Sequence, residues 1–133
     1  MTPEAAVISA LNAHAVALGA SFPPLVWREK NTAPLPAEYI MIDHLPNLST
    51  RPMLDSPAQD LMGIYQMTLA RRAGQYEVVY REQAALIAAH FMDAVTLTAD
   101  GKTITITKAD TLRGRSDATR WAIPVEVHYR LDA

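Results

Sequence analysis

Thr119-Arg120-Trp121-Ala122-Ile123-Pro124-Val125-Glu126-Val127-His128-Tyr129-Arg130 is the stretch on which the fold turns. Trp121, Ile123, Val125, Val127 and Tyr129 share one parity; Ala122, Pro124, Glu126, His128 and Arg130 take the other. Strict period two over this length predicts a β-strand with one buried face. Five large apolar side chains on that face require a covering layer of helices or a second sheet. Pro124 cannot donate to a ladder, so the strand is expected at a sheet edge or with a bulge there. Pro, Glu, His and Arg on the outward parity would protect such an edge from indiscriminate pairing while leaving it open to a chosen partner.

Working outward, the rest of the chain supplies the cover. Thr2-Pro3-Glu4 opens a helix with an N-cap, Pro at the first helical position and an acid for the dipole; Gly19 closes it. Its stripe is Ile8, Leu11, Ala15 and Leu18, with Asn12 and His14 off it. Leu25-Val26-Trp27 is a short strand, and residues 28 to 38 are a polar, Pro-broken loop. Tyr39 to Leu45 is a strand with apolar residues on both parities, as when both faces are covered. Pro46 to Ala58 holds three prolines and reads as a long loop, of the kind that is functional or disordered. Asp60 to Arg71 is the second long strand; Gly63 within it marks a bulge or a close approach of another backbone.

A second helix runs from about Gln75 to Asp93, with Tyr76, Tyr80, Ala84, Ile87 and Phe91 as its stripe. Asp100-Gly101 then predicts a type I′ hairpin. Counting outward pairs Leu97 with Ile104 and Val95 with Ile106 on one face, and Thr98 with Thr103 and Thr96 with Thr105 on the other. Lys108 to Ala118 is expected to be a polar loop. The sum is one α+β domain over residues 1–133. It has a mostly antiparallel sheet of about five to six strands with two helices on one face, in the order α-β-β-β-α-β-β-β.

Composition sets further bounds. The 133 residues include 12 basic and 14 acidic side chains, a net charge of −2 that argues against a general nucleic-acid or membrane binder. There is no cysteine, which excludes disulfides and thiolate metal sites. No apolar run approaches a membrane span, and the N-terminus reads as no signal peptide. The four histidines, His14, His44, His90 and His128, fall on four different predicted elements without metal-ligand spacing. Asp43 and His44, adjacent on a strand, point to opposite faces and cannot serve one substrate unaided. His44 and His128 could meet across strands, but they read better as rim histidines. No phosphate loop or nucleophile elbow occurs, so no cofactor and no catalytic residue is expected. The small basic clusters Arg71-Arg72 and Arg113-x-Arg115 are either solvated loops or contact points.

Laid out in this order, the chain resembles the small tail terminator proteins of lambda-like long-tailed bacteriophages and their prophage relatives. The Ala-rich first helix, Leu25-Val26-Trp27, Tyr39-Ile40-Met41-Ile42, Gly63-Ile64-Tyr65-Gln66-Met67, His90-Phe91 and Trp121-Ala122-Ile123-Pro124-Val125-Glu126-Val127 carry the resemblance. It implies a structural virion protein: a ring, typically a homohexamer, that caps the head-proximal end of the tail tube, stops its growth and receives the head's connector. The implied partners are further copies of the chain, the tail tube protein and the connector, with no nucleic acid and no membrane. The implied location is the virion neck, after assembly in the host cytoplasm. The family has no motif that assigns roles by position. Candidate interface residues are therefore the polar ones on loops and on the presumed edge strand: Arg51, Asp55, Arg71, Arg72, Arg113, Arg115, Glu126, His128 and Arg130. Competing expectations are another neck or head-completion ring protein, a small ligand-binding or enzymatic domain centred on His44 or His128, and a stand-alone adaptor.

Overall fold

A computed structural model describes residues 3–19, 22–28, 34, 36–46, 61–72, 77–94, 96–99, 101–117 and 120–132. The elements are α1 (Pro3–Val16), β1 (Leu25–Trp27), β2 (Tyr39–Pro46), β3 (Leu61–Arg72), α2 (Glu77–Ala94), β4 (Thr96–Ala99), β5 (Lys102–Thr111), β6 (Arg115–Asp117) and β7 (Arg120–Asp132). The strands form one sheet in the order β1-β2-β3-β7-β5-β4, with β6 also pairing β7. Only β1 and β2 run parallel. The fold is α+β, as expected, with one strand more than the sequence reading assigned.

The period-two face of β7 is the heart of the core. Ile123, Val125, Val127, Tyr129 and Leu131 pack with Ile40 and Ile42 of β2, Tyr65, Met67 and Leu69 of β3, and Ile104 and Ile106 of β5. Both helices cover this one face. From α1 come Ala6, Val7, Leu11 and Ala15, and from α2 come Tyr80, Ala84, Ile87, Ala88 and Phe91. The α2 stripe is the one expected, apart from Tyr76, which lies outside the described residues. The α1 stripe is rotated: Val7 is buried while Ile8 is only half-buried. In an Ala-rich helix several phases look alike.

The edge-strand expectation for β7 is overturned. β7 is central, held by β3 along its whole length and by β5 and β6 on the other side. Pro124 is accommodated where β5 hands over to β6. Thr111 pairs Val125 and Arg115 pairs Ala122, so the chain crosses Pro124 between two strands. The Leu112 N–H still donates to the Pro124 carbonyl at 2.8 Å. A proline cannot return the reciprocal bond. The Leu112 carbonyl instead accepts from Arg81 Nη1 of α2 at 2.6 Å. A buried proline thus sits inside a sheet because a guanidinium replaces its missing donor.

Two smaller corrections follow from the register. Within the expected loop 108–118, residues 108–111 and 115–117 are strand: β5 continues to Thr111 after a bulge between Ile106 and Lys108, and β6 follows, while Ala118 lies outside the described residues. The bulge shifts the alternation by one residue, which erased the period-two signal. At Gly63 the ladder is unbroken on both sides, so there is no bulge. What approaches is a side chain: a Cβ at 63 would lie 2.8 Å from Tyr129 Cζ. The hairpin register holds for Thr96/Thr105, Leu97/Ile104 and Thr98/Thr103, with Gly101 at φ +79°. Val95 and Asp100 lie outside the described residues.

Candidate functional site

Antiparallel register carries two distant basic clusters to one end of the sheet. Arg71 and Arg72 close β3, where Arg72 pairs Arg120 at the start of β7. Arg115 opens β6 beside Ala122, and Arg113 lies two residues before it. Arg81 reaches the same end through Leu112. Six arginines (71, 72, 81, 113, 115 and 120) therefore converge there, near the carboxylates of Glu38 and Glu77. Arg81 and Arg120 escaped the sequence reading because only pairing brings them to the others.

These arginines differ in what holds them. Arg71 is largely covered, pairing Glu38 at 3.2 Å, donating to Gln83 and lying over the Tyr80 ring. Arg120 donates to the carbonyls of Pro36 and Ala37 and lies over the Tyr39 ring. Arg72, Arg113 and Arg115 are exposed. Like charges directly across strands, as at Arg72 and Arg120, are locally unfavourable. Such an arrangement is suited to an incoming acidic surface.

The other expected residues are placed elsewhere. Glu126, His128 and Arg130 lie on the sheet face away from the helices, with His128 Nε2 3.6 Å from Glu126 Oε1. That outer face carries a shallow depression of about 230 Å³ bordered by Arg28, Asp43, Gln66 and Arg115. Arg28 bonds Asp43, and that hydrogen bond raises the guanidinium above its ordinary pKa. Arg51 and Asp55, with the loop that holds them, lie outside the described residues.

Three of the four histidines bond within the fold. His44 shares a hydrogen bond with Tyr129 on the helix side of the sheet, whereas His128 is on the outer side, so the two do not meet. His14 and His90 do meet. Their rings stack at 4.0 Å, and each Nε2–H donates to the other's backbone carbonyl, at 2.9 and 2.7 Å. The clasp ties the end of α1 to the C-terminal half of α2, and the His14 carbonyl also accepts from the Ala17 N–H at 3.2 Å. Asn12, likewise off the expected stripe, accepts from Tyr65 Oη at 2.7 Å. His14→Ala and His90→Ala are each expected to lose about 1–2 kcal/mol of stability. Because one clasp is lost in both, the double variant should cost little more than either single in urea denaturation. Additive losses would mean that the two rings act separately.

Among the described residues, no group of three or more His, Asp or Glu side chains could hold a metal, and no charged side chain is buried. No helix is long and apolar enough to cross a membrane.

A family model described as phage tail terminator protein matches residues 4–129. One solved structure, whose description names no function, superposes with a TM-score of 0.76 at 15% identity, over 98% of this chain and 96% of that one. A chain from the virion of a native gene transfer agent particle superposes with a TM-score of 0.57 at 14% identity, over 96% and 98%. At such identities these likenesses speak to the fold alone. No curated protein sequence matches.

Proposed function

We infer the function from one premise: this chain belongs to the phage tail terminator protein family. It is a tail-associated structural component of a virion. The finer reading is a ring of identical subunits that sits on the head-proximal end of the tail tube, stops further addition and receives the head-side connector. The family match over residues 4–129 carries this reading.

In this reading the arginine end of the sheet is an axial docking surface. A ring needs lateral contacts that close on themselves and a separate end that meets a different partner. Concentrated positive charge on a chain of net −2 is a steering device toward an acidic ring. Arg113→Glu with Arg115→Glu is expected to weaken binding to tube ends or connector by about tenfold or more, equivalent to about 1.4 kcal/mol. The melting temperature should stay unchanged, since both side chains are exposed. Unaltered binding by the double variant would remove this end from the interface.

The decisive experiment mixes the protein with purified tail tubes, with mass followed by light scattering and tube ends imaged by electron microscopy. Ring-shaped density on one end of the tubes, and tubes that no longer elongate, are expected. A protein that ignores tubes and binds the portal side instead would make it a different neck component.

A further inference from the structure

The depression on the outer face of the sheet has a floor of small and apolar side chains. Ala70 of β3 and Ala122 of β7 pair directly, and beside them lie Tyr39 and Met41 of β2 and Thr68 of β3. Tyr39, Met41, Ala70 and Ala122 are buried. Pro124, which pairs Thr68, adds no long side chain. Rows of longer residues stand on either side. Arg72 and Arg120 form the row toward the end of the strands, with Arg115 beside Ala122. Asp43 and Gln66 form the opposite row, with Arg28 held on Asp43. Short residues between two long rows make the hollow a trough across the strands.

The charges around it are unequal. Asp43 is engaged by Arg28, and Glu38 pairs Arg71. Further along the face, Glu126 lies 3.6 Å from His128 and Asp110 lies 3.5 Å from Lys108. Arg72, Arg113 and Arg115 have no carboxylate partner among the described residues. Arg120 is held by the carbonyls of Pro36 and Ala37 and the Tyr39 ring, none of them charged. Asp117, opposite Arg120 in register, is the one acid left to set against these four guanidiniums. This end of the face is therefore positive, beside a hollow with an apolar floor.

We propose that the trough is the socket for a glutamate side chain on an acidic segment of the tail tube's last ring. The methylenes lie over Ala70, Ala122 and Met41, and the carboxylate meets Arg115 and Arg120, on the side away from Asp43. A guanidinium fork takes a carboxylate through two parallel N–H donors, and a floor that excludes water strengthens the bond. The hollow, about 230 Å³, is below the roughly 300–1,000 Å³ usual for small-molecule sites and suits one side chain. A phosphate backbone would need the exposed guanidiniums alone and has no apolar stem to lay on the floor. The match to tail terminators supports the tube as the source. This proposal rests on the docking reading above and names its anchor.

Thr68→Phe fills the trough without changing its charges. Arg115→Gln removes one of its jaws, and Arg113→Gln, outside the trough, is the control. Arg113 and Arg115 are both exposed, so these two neutral variants test the socket even if Phe at 68 disturbs the fold, which circular dichroism would reveal. Binding to purified tail tubes is read by co-sedimentation across a concentration series. Thr68→Phe and Arg115→Gln are each expected to weaken it by at least about tenfold. Arg113→Gln should weaken it by no more than about threefold. Equal losses for the two arginine variants, with short duplex DNA displacing the tubes, would overturn the socket in favour of a phosphate-binding end. Losses seen with connector rings and not with tubes would overturn the tube as the source. A folded Thr68→Phe that binds tubes like the parent would also overturn the socket. If the Arg113→Glu, Arg115→Glu double variant then still releases tubes, the docking end stands; if it too binds like the parent, both readings fall.

Discussion

Phe91→Ala is expected to remove about 3–5 kcal/mol of stability, the range for a buried aromatic truncated where the surroundings cannot collapse. Phe91 is fully buried. Its ring meets His14 and His90 edge-on, at 4.8 and 5.6 Å between centroids, and Tyr65 at 5.8 Å. It therefore joins α1, α2 and β3 at one point. Against a total of about 5–15 kcal/mol for a domain, the loss leaves little in reserve. Urea denaturation should show a much lower midpoint with the same slope. Met92→Ala, one residue on and directed outward, should change the midpoint of the isolated subunit hardly at all. Equal losses for the two variants would mean that α2 is not seated as described.

The second large effect is at Gly63. Its Cα faces the Tyr129 ring so closely that an added methyl would lie 2.8 Å from Cζ. Tyr129 is 5% exposed and tied to His44, so it cannot simply swing aside. Gly63→Ala should cost about 1–3 kcal/mol through overpacking. Without the clash, alanine in a strand would gain about 0.5–1 kcal/mol over glycine. Tyr129→Phe removes the atom nearest the new methyl. In that background Gly63→Ala should cost less, by an interaction energy of about 1 kcal/mol. Strict additivity across the four proteins of the cycle would show that the methyl does not press on this ring.

Much of the fold is legible in the sequence wherever one physical rule dominates. Alternation in β7, Asp-Gly in the hairpin and the three-four stripe of α2 each point one way, and each places its described residues correctly. Errors arise where two rules compete. Pro124 argues for an edge by its missing donor, yet β7 is central because Arg81, 43 residues earlier, serves the orphaned carbonyl. Thr107 adds one residue at the bulge, so the period in residues 108–117 breaks and the strands there read as loop. His14 and Asn12 lie off the stripe expected for α1, but the helix is rotated enough to bring both inward. The candidate surfaces are less legible still. Arg71-Arg72 and Arg113-x-Arg115 are visible as clusters, but their convergence is a product of register. The trough over Ala70 and Ala122 needs the pairing of β3 with β7 to be known first. Family resemblance read the family and the tail-associated nature of the chain without locating any of these surfaces.

The central place of β7 has a consequence for how the subunit is made. β1, β2 and β3 form one piece of sheet, and β4 and β5 another; the described ladders join them only through β7. At about 5–20 residues per second, β7 is synthesised about 2–10 s after β3. During that interval β3 carries an open hydrogen-bonding edge, the kind of surface on which chains aggregate. The first three strands are thus briefly a half-sheet awaiting its spine. Synthesis temperature and chaperone supply should therefore bear on soluble yield.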